Sequence, residues 1–325
     1  MLRGQSIEKV SLDSIEEARN RIRKSVTLNS TLIQNTRLNQ LYSTSIKIKH
    51  EGLQHTGSFK LRGAANKMSY LAEIGSDSVV VTASAGNHAI GLSYMGNQLG
   101  IPVHVFMANN APKVKIDTCR NLGATVHLHG QLYDDAYEQA KQFNEKHEGI
   151  YVHPVADHYV VSGQGTIGLE VLEQVPDVEQ VVVPIGGGGL ISGIATALKS
   201  INPHIKVVGI QAENSNAFYR SIQEGHRVKL DNAQTIADGM SLKDPEPYLL
   251  EMVTDWVDSI ETVTEEGLYR SIKQLLIDGK ILVEGAGAAT YAAVLEGKVD
   301  LNLKTVLISS GSNIDHERLM QALNV

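Results

Sequence analysis

From residue 79 onward the hydrophobic positions fall into two alternating rhythms. Continuous runs rich in β-branched residues at 79–82, 103–107, 125–128, 150–152, 181–185, 206–211 and 305–309 predict strands, and runs such as VVVTA and VVVPI suit strands buried on both faces. Between them, helix-like segments lie over about 87–99, 112–122, 133–147, 264–278 and 286–296. Upstream, residues 13–24 open with Asp13 and Glu16 three positions on, a capping-box pattern that predicts a helix. Residues 25–45 are polar and turn-rich, and 46–49 alternates apolar and basic residues as a short strand would. Leu61, Ala64, Ala65, Met68 and Leu71 then recur at helical spacing, with Ser58 placed to cap that helix.

Strand–helix alternation predicts an α/β chain with open, mainly parallel twisted sheets covered by helices on both faces. One open sheet rarely holds this many strands, so two domains are expected. The expected division is a small α/β domain over 51–153, inserted between 1–50 and 154–325 of a large one.

Composition narrows the partners. With 325 residues, 42% hydrophobic and 20% charged, the chain reads as ordinary and globular. A net charge of −7 offers no basic footprint for nucleic acid. Arg19, Arg21, Arg23 and Lys24 share a short helix with Glu16 and Glu17, which reads as a solvated face. No apolar run approaches the roughly 20 residues of a membrane span, and MLRGQSIEKV lacks the apolar core of a signal peptide. Cys119 is the single cysteine and is expected to be a small buried hydrophobe, which fits a reducing cytoplasm.

Four stretches could carry chemistry, together with one lysine. Lys60 falls in the first turn of its helix, where the dipole disfavours a cation. Held there and desolvated, its amine would lose basicity and become a nucleophile suited to Schiff-base formation with an aldehyde. TASAGNHA, at 82–89, leads from a buried strand into a helix, and the N–H groups of Ser84 to His88 would face a cleft where a carboxylate could bind. PIGGGGLISG, at 184–193, brings the bare amides of Gly186, Gly187, Gly188 and Gly189 to a helix start, which is a phosphate cradle. The same run could be a dinucleotide fingerprint, with Glu213 as the ribose acid, although Ser192 stands where the third glycine belongs. LISSGSNID, at 307–315, is a polar loop at a strand end, with a hydroxyl at Ser310. VEGAGAA, at 283–289, opens a small-residue helix at Glu284 that can pack against something flat. His127 and His129 lie two apart, with no third ligand evident, so no metal is expected.

These stretches, with GSFKLRGA, GQGTIGLE at 163–170 and IADG at 236–239, occur in the order and spacing of the threonine/serine dehydratases. The resemblance covers about residues 15–320 and places the chain beside serine racemase among the fold-type-II, tryptophan synthase β-like enzymes that use pyridoxal 5'-phosphate. It implies that Lys60 carries the cofactor as a Schiff base, and that Phe59 and Asn87 flank its ring. It implies further that Gly186 to Leu190 hold the phosphate, that Ser310 meets the pyridine nitrogen, and that Glu284 belongs to the cofactor site. Ser84, Asn87 and His88 would seat the substrate carboxylate. The implied reaction is β-elimination from threonine, serine or a related β-hydroxy amino acid, giving a 2-oxo acid and ammonia in a homodimer or homotetramer.

Racemases of this group carry a second serine where this chain has Ala85, which favours the dehydratase. Glu213 and Ala217 match two racemase cation ligands, but Tyr219 stands where a second acid would be. Ser312 replaces a glycine and is expected to crowd the ring-nitrogen loop. HPVADH at 153–158 and residues 244–247 depart from common dehydratase versions and could line the pocket. The chain ends ten residues after Asp315, so feedback through a regulatory extension is not expected. The other readings are a serine racemase-type isomerase, a nicotinamide oxidoreductase and a non-catalytic ligand binder.

Overall fold

The computed structural model describes residues 9–34, 36–41 and 45–325. Ten strands form among them: β1 Leu32–Ile33, β2 Lys47–His50, β3 Val80–Ala83, β4 Val103–Met107, β5 Thr125–Leu128, β6 Ile150–Tyr151, β7 Gln180–Pro184, β8 Lys206–Ala212, β9 Ser259–Val263 and β10 Thr305–Ser309. The chain divides into two compact units. One contains 9–27 with Lys60–Gln164, the other Leu28–Phe59 with Gly165–Val325.

The first unit carries a parallel four-stranded sheet in the order β5-β4-β3-β6. All four residues of β3 are buried, so both of its faces are covered, as the unbroken apolar run required. On one side Val81, Ala83 and Phe106 pack against Ala136 and Ala140 of the helix Tyr133–Lys146. His104 and His127 stack in the same region, with Nδ1 and Nε2 2.9 Å apart, and His127 also stacks on Phe106. His129 lies just past the end of β5.

Residues expected in the other domain join this unit. The first helix, Leu12–Ile22, buries Ile15, Ala18 and Ile22. Its Ser14 hydroxyl lies 3.0 Å from that of Ser162, and Arg21 donates to Asn66 at 2.7 Å and pairs with Glu73. Arg21 is thus an inward-turned anchor, not part of a solvated face. Ser11 and Ser14 form the capping box, two residues ahead of the Asp13–Glu16 pair.

The second unit carries a six-stranded sheet in the order β1-β2-β10-β7-β8-β9. Every neighbouring pair is parallel except β1 with β2. β7 and β10 are buried at every position. The helix Gly285–Leu295 is apolar on all sides and buried from Gly285 to Val294, and it belongs to the core formed with Val182, Val208, Ile210 and Leu307. Its small residues permit close backbone approach: a Cβ on Gly287 would collide with the Gly311 carbonyl. Beside this core is an ion pair with no solvent contact. Lys49 Nζ lies 2.6 Å from Glu170 and donates to Gln174 at 2.6 Å and to the Ser30 carbonyl at 2.9 Å. Its charge is stabilised only because several acceptors converge on it. No helix among the described residues is long and apolar enough to cross a membrane.

Candidate active site

The expected site residues divide between the units. The first unit holds Lys60, Ser84, Asn87 and His88; the second holds Phe59, Gly186 to Leu190, Glu284 and Ser310.

In the first unit Lys60 is the opening residue of the helix Lys60–Glu73. Its side chain is partly buried, and Nζ donates to the Pro154 carbonyl at 2.8 Å. Ser58 does not cap this helix: its hydroxyl is buried with no hydrogen-bond partner. Close helix packing sets the lysine's position. A Cβ on Gly91 would lie 3.2 Å from Ala64 Cβ and 3.4 Å from the Lys60 carbonyl, so the helix Asn87–Leu99 presses directly on the Lys60 helix. A Cβ on Gly163 would lie 2.7 Å from Gly63 Cα, so GSFKLRGA and GQGT pack backbone to backbone.

The turn over 84–87 offers less than its sequence promised. The Ser84 N–H is taken by the Phe106 carbonyl at 3.1 Å, and the Gly86 N–H by Ser84 Oγ at 3.3 Å. What remains for an anion is the Asn87 helix N-terminus, which has no side-chain cap. The buried His88 imidazole turns to the Val152 carbonyl, with Nε2 at 3.3 Å, and its Nδ1 has no partner. Burial, reinforced by the Lys60 charge, pushes the His88 pKa down to about 3. The same two causes push His153 down to about 4. His153 Nδ1 accepts from the N–H groups of Val155 and Ala156 at 3.2 and 2.8 Å, which fixes the neutral tautomer with its proton on Nε2. Pro154, whose contribution is a main-chain oxygen, could be located from sequence only as part of an atypical HPVADH segment.

In the second unit the glycine run ends in the helix Gly189–Ile201, again with no side-chain cap. Gly188 has φ +89°, and a Cβ there would lie 2.7 Å from the Phe218 ring. A Cβ on Gly186 would collide with the Gly239 carbonyl and come within 3.0 Å of Met240 Cα. One on Gly285 would lie 2.7 Å from the Ile236 carbonyl. PIGGGGL, IADG and EGAGA are therefore three turns packed backbone to backbone, and Leu190 is buried beside them.

Ser310 follows β10. Its hydroxyl is buried without a partner, while its carbonyl accepts the Phe59 N–H at 3.0 Å. Ser58 and Gly311 form an antiparallel bridge, the Ser312 N–H donates to the Gly57 carbonyl at 2.9 Å, and Asn313 Nδ2 donates to the Thr56 carbonyl at 2.8 Å. The Glu284 N–H donates to the Gly311 carbonyl at 3.1 Å, and its carboxylate covers the Cα of Gly311. SGSNID thus holds, as a short β-pairing, the segment that leads into Lys60. Ser312 does not crowd Ser310: its hydroxyl turns away and donates to the Gly52 carbonyl at 2.8 Å.

An uncapped helix end behind glycines that tolerate no Cβ, and a buried hydroxyl with an unmet hydrogen bond, fit a phosphate and a ring nitrogen. Glu213, the would-be ribose acid, instead accepts the Glu265 N–H at 3.4 Å, and the Tyr219 N–H donates to Gln211. Among the described residues no group of three or more His, Cys, Asp or Glu side chains could hold a metal ion.

Residues 26–311 match the family described as pyridoxal-phosphate dependent enzyme. The chain is 44% identical to the L-threonine ammonia-lyase of Thermotoga maritima over 316 residues, 97% of this chain and 78% of that one. Among solved structures it is similar to maize serine racemase, with TM-score 0.90, 32% identity and 98% of each chain covered. It is also similar to the processed form of threonine deaminase isoform 2 from Solanum lycopersicum, with TM-score 0.87, 34% identity, and 99% of this chain and 96% of that one covered.

Proposed function

Because the chain belongs to the pyridoxal-phosphate dependent enzymes, we propose that Lys60, the Gly186–Gly189 turn and Ser310 hold that cofactor for the β-elimination of an amino acid. The enzyme is a pyridoxal-phosphate-dependent ammonia-lyase of the threonine/serine dehydratase type, converting threonine, serine or a related β-hydroxy amino acid to a 2-oxo acid and ammonia. The bound cofactor supplies an electron sink for charge developing at the substrate α-carbon.

The chain's own residues supply the rest. Lys60 Nζ would hold the cofactor covalently, and its amine would be the base placed to accept the substrate α-proton. Its Pro154 carbonyl partner takes one N–H and is far less basic than the amine, so it orients Nζ while leaving the nitrogen lone pair for that proton. The Asn87 helix end and the Asn87 amide would bind the substrate carboxylate. His88 and His153 stay neutral at physiological pH, so neither adds a charge beside Lys60. Ser310 would offer the ring nitrogen a neutral hydroxyl, not a carboxylate. Phe59 and Glu284 complete the cofactor's surroundings.

The observation that most supports this assignment is the unpartnered Ser310 hydroxyl, fixed through its carbonyl to Phe59, one residue before Lys60. Borohydride reduction followed by peptide mapping should place the cofactor on Lys60, and Lys60→Ala should lose both the absorption band and turnover. Activity persisting in that variant would overturn the assignment. A racemase is the second reading, motivated by the maize neighbour. Ala85 has no proton to deliver, so elimination should outrun racemisation in an assay of serine that follows both products. We extend the proposal to a homodimer or homotetramer in the cytoplasm, where Cys119, buried and with its thiol pKa raised by burial, stays reduced. Light scattering would read the assembly.

A further inference from the structure

We propose that His50 is a positioning residue that sets the Ser310 hydroxyl by way of Ser309, a role that rests on the cofactor site proposed above. His50 and Ser309 are the last residues of the parallel strands β2 and β10 and are direct partners in the register. His50 Nδ1 and Ser309 Oγ lie 3.1 Å apart, and both residues are buried. Burial lowers the imidazole pKa, against an opposing pull from Glu51, so the ring is neutral and has one N–H and one lone pair. Beyond this pair, one strand leads through 51–59 toward Lys60 and the other steps directly to Ser310.

Ser310 is therefore held from two directions. Phe59 fixes its carbonyl, and the His50–Ser309 bond fixes the peptide that precedes it. A third contact completes the set: Ser312 Oγ donates to the Gly52 carbonyl. Gly52 must lack a side chain, because a Cβ would lie 2.8 Å from His50 Nε2 and 2.9 Å from Ser312 Cβ. His50, Gly52, Ser309 and Ser312 thus fit only as a group, and none of them has a part in the reaction. Apolar packing at position 50 would fill the same space but would not fix the direction of the β10 end. A hydrogen bond does, and Ser310 Oγ needs a direction to meet one ring atom.

The test compares the holoenzyme with His50→Leu, His50→Asn, His50→Gln and Ser309→Ala. Asn can place an amide where Nδ1 lies, and Gln where Nε2 lies. His50→Leu should weaken cofactor binding about tenfold, by analogy with outer-shell partners elsewhere, shift the pH dependence of the cofactor band, and lower kcat while KM stays within about twofold. His50→Asn should recover most of the loss and His50→Gln little of it. Ser309→Ala should reproduce His50→Leu, with the double variant no worse than either single one. Equal behaviour of the Asn and Leu variants, or an unchanged cofactor affinity and band in Ser309→Ala, would overturn the proposal. If His50→Leu fails to fold, Ser309→Ala, which removes one oxygen, decides alone. Lys60→Ala run in parallel separates the two ideas. Its inactivity with no differences across the His50 set defeats the positioning role only, whereas its retained activity defeats the cofactor assignment.

Discussion

Residues 84–86 of the first unit and 186–188 of the second each lead a buried strand into a helix N-terminus, and they make the turn with different residues. In the first, Ser84 takes the Gly86 N–H on its side chain, and a Cβ on Gly86 would meet nothing within 4 Å. Neither helix has a side-chain cap, but in the second turn Cβ atoms on Gly186 or Gly188 would strike Gly239, Met240 or Phe218. One turn is open and partly self-satisfied, the other closed on its outer side with its amides kept bare. The first suits a substrate that comes and goes. The second suits a group that stays.

That contrast can be broken experimentally. Gly188→Ala combines a left-handed φ with a clash on Phe218, and should cost about 3 kcal/mol or more of stability or eliminate cofactor binding. A melt of the apoprotein and a cofactor titration would separate the two losses.

A smaller effect should appear on acidification, and it should trace to the first unit. His88 and His153 have pKa values below the ordinary 6.5 in the folded state, so the unfolded chain binds protons more readily. Their stabilisation is complete above about pH 6.5 and is lost as the pH falls through the window down to about 4 and then 3. For His153 this amounts to about 3 kcal/mol. Urea unfolding of the apoprotein from pH 7 to 4.5 should show a shallower decline for His153→Gln than for the unsubstituted chain, and equal slopes would refute the assignment.

Ser84→Ala should raise KM for the amino acid about tenfold with the cofactor band unchanged, because only the open turn loosens. The mildest change is Gly86→Ala, which should cost no more than about 1 kcal/mol in a thermal melt. A Gly86→Ala loss as large as that of Gly188→Ala would erase the distinction between the turns.

Much of this architecture was legible because buried parallel strands leave unbroken β-branched runs. β4, β5 and β10 begin and end at the expected residues, as does the helix Asn87–Leu99. β1 and β9 were not found; β9 is an edge strand, SIETV, with only Ile260 and Val263 buried, so its pattern is short and mixed. The helix His158–Gln174 was also missed, because its GQGTIG segment reads as a loop until the backbone packing of Gly163 on Gly63 is visible. The hydrogen bonds that tie the first helix to its unit, Ser14 with Ser162 and Arg21 with Asn66, leave no mark in the hydrophobic pattern. In the candidate site, Lys60 and the glycines announced themselves by residue type. The Pro154 carbonyl, the two main-chain donors that fix His153, and the loss of the Ser84 N–H to Phe106 left no mark on side-chain chemistry.

The pairing of β2 with β10 has a consequence for synthesis. Residues 47–50 leave the ribosome long before their parallel partner, 305–309. Throughout translation β2 has only the two residues of β1 beside it, and the segment leading to Lys60 lacks Ser310, Ser312 and Asn313. A nascent chain cut short before them would carry residues 56–59 without the Ser310, Ser312 and Asn313 contacts that fix them.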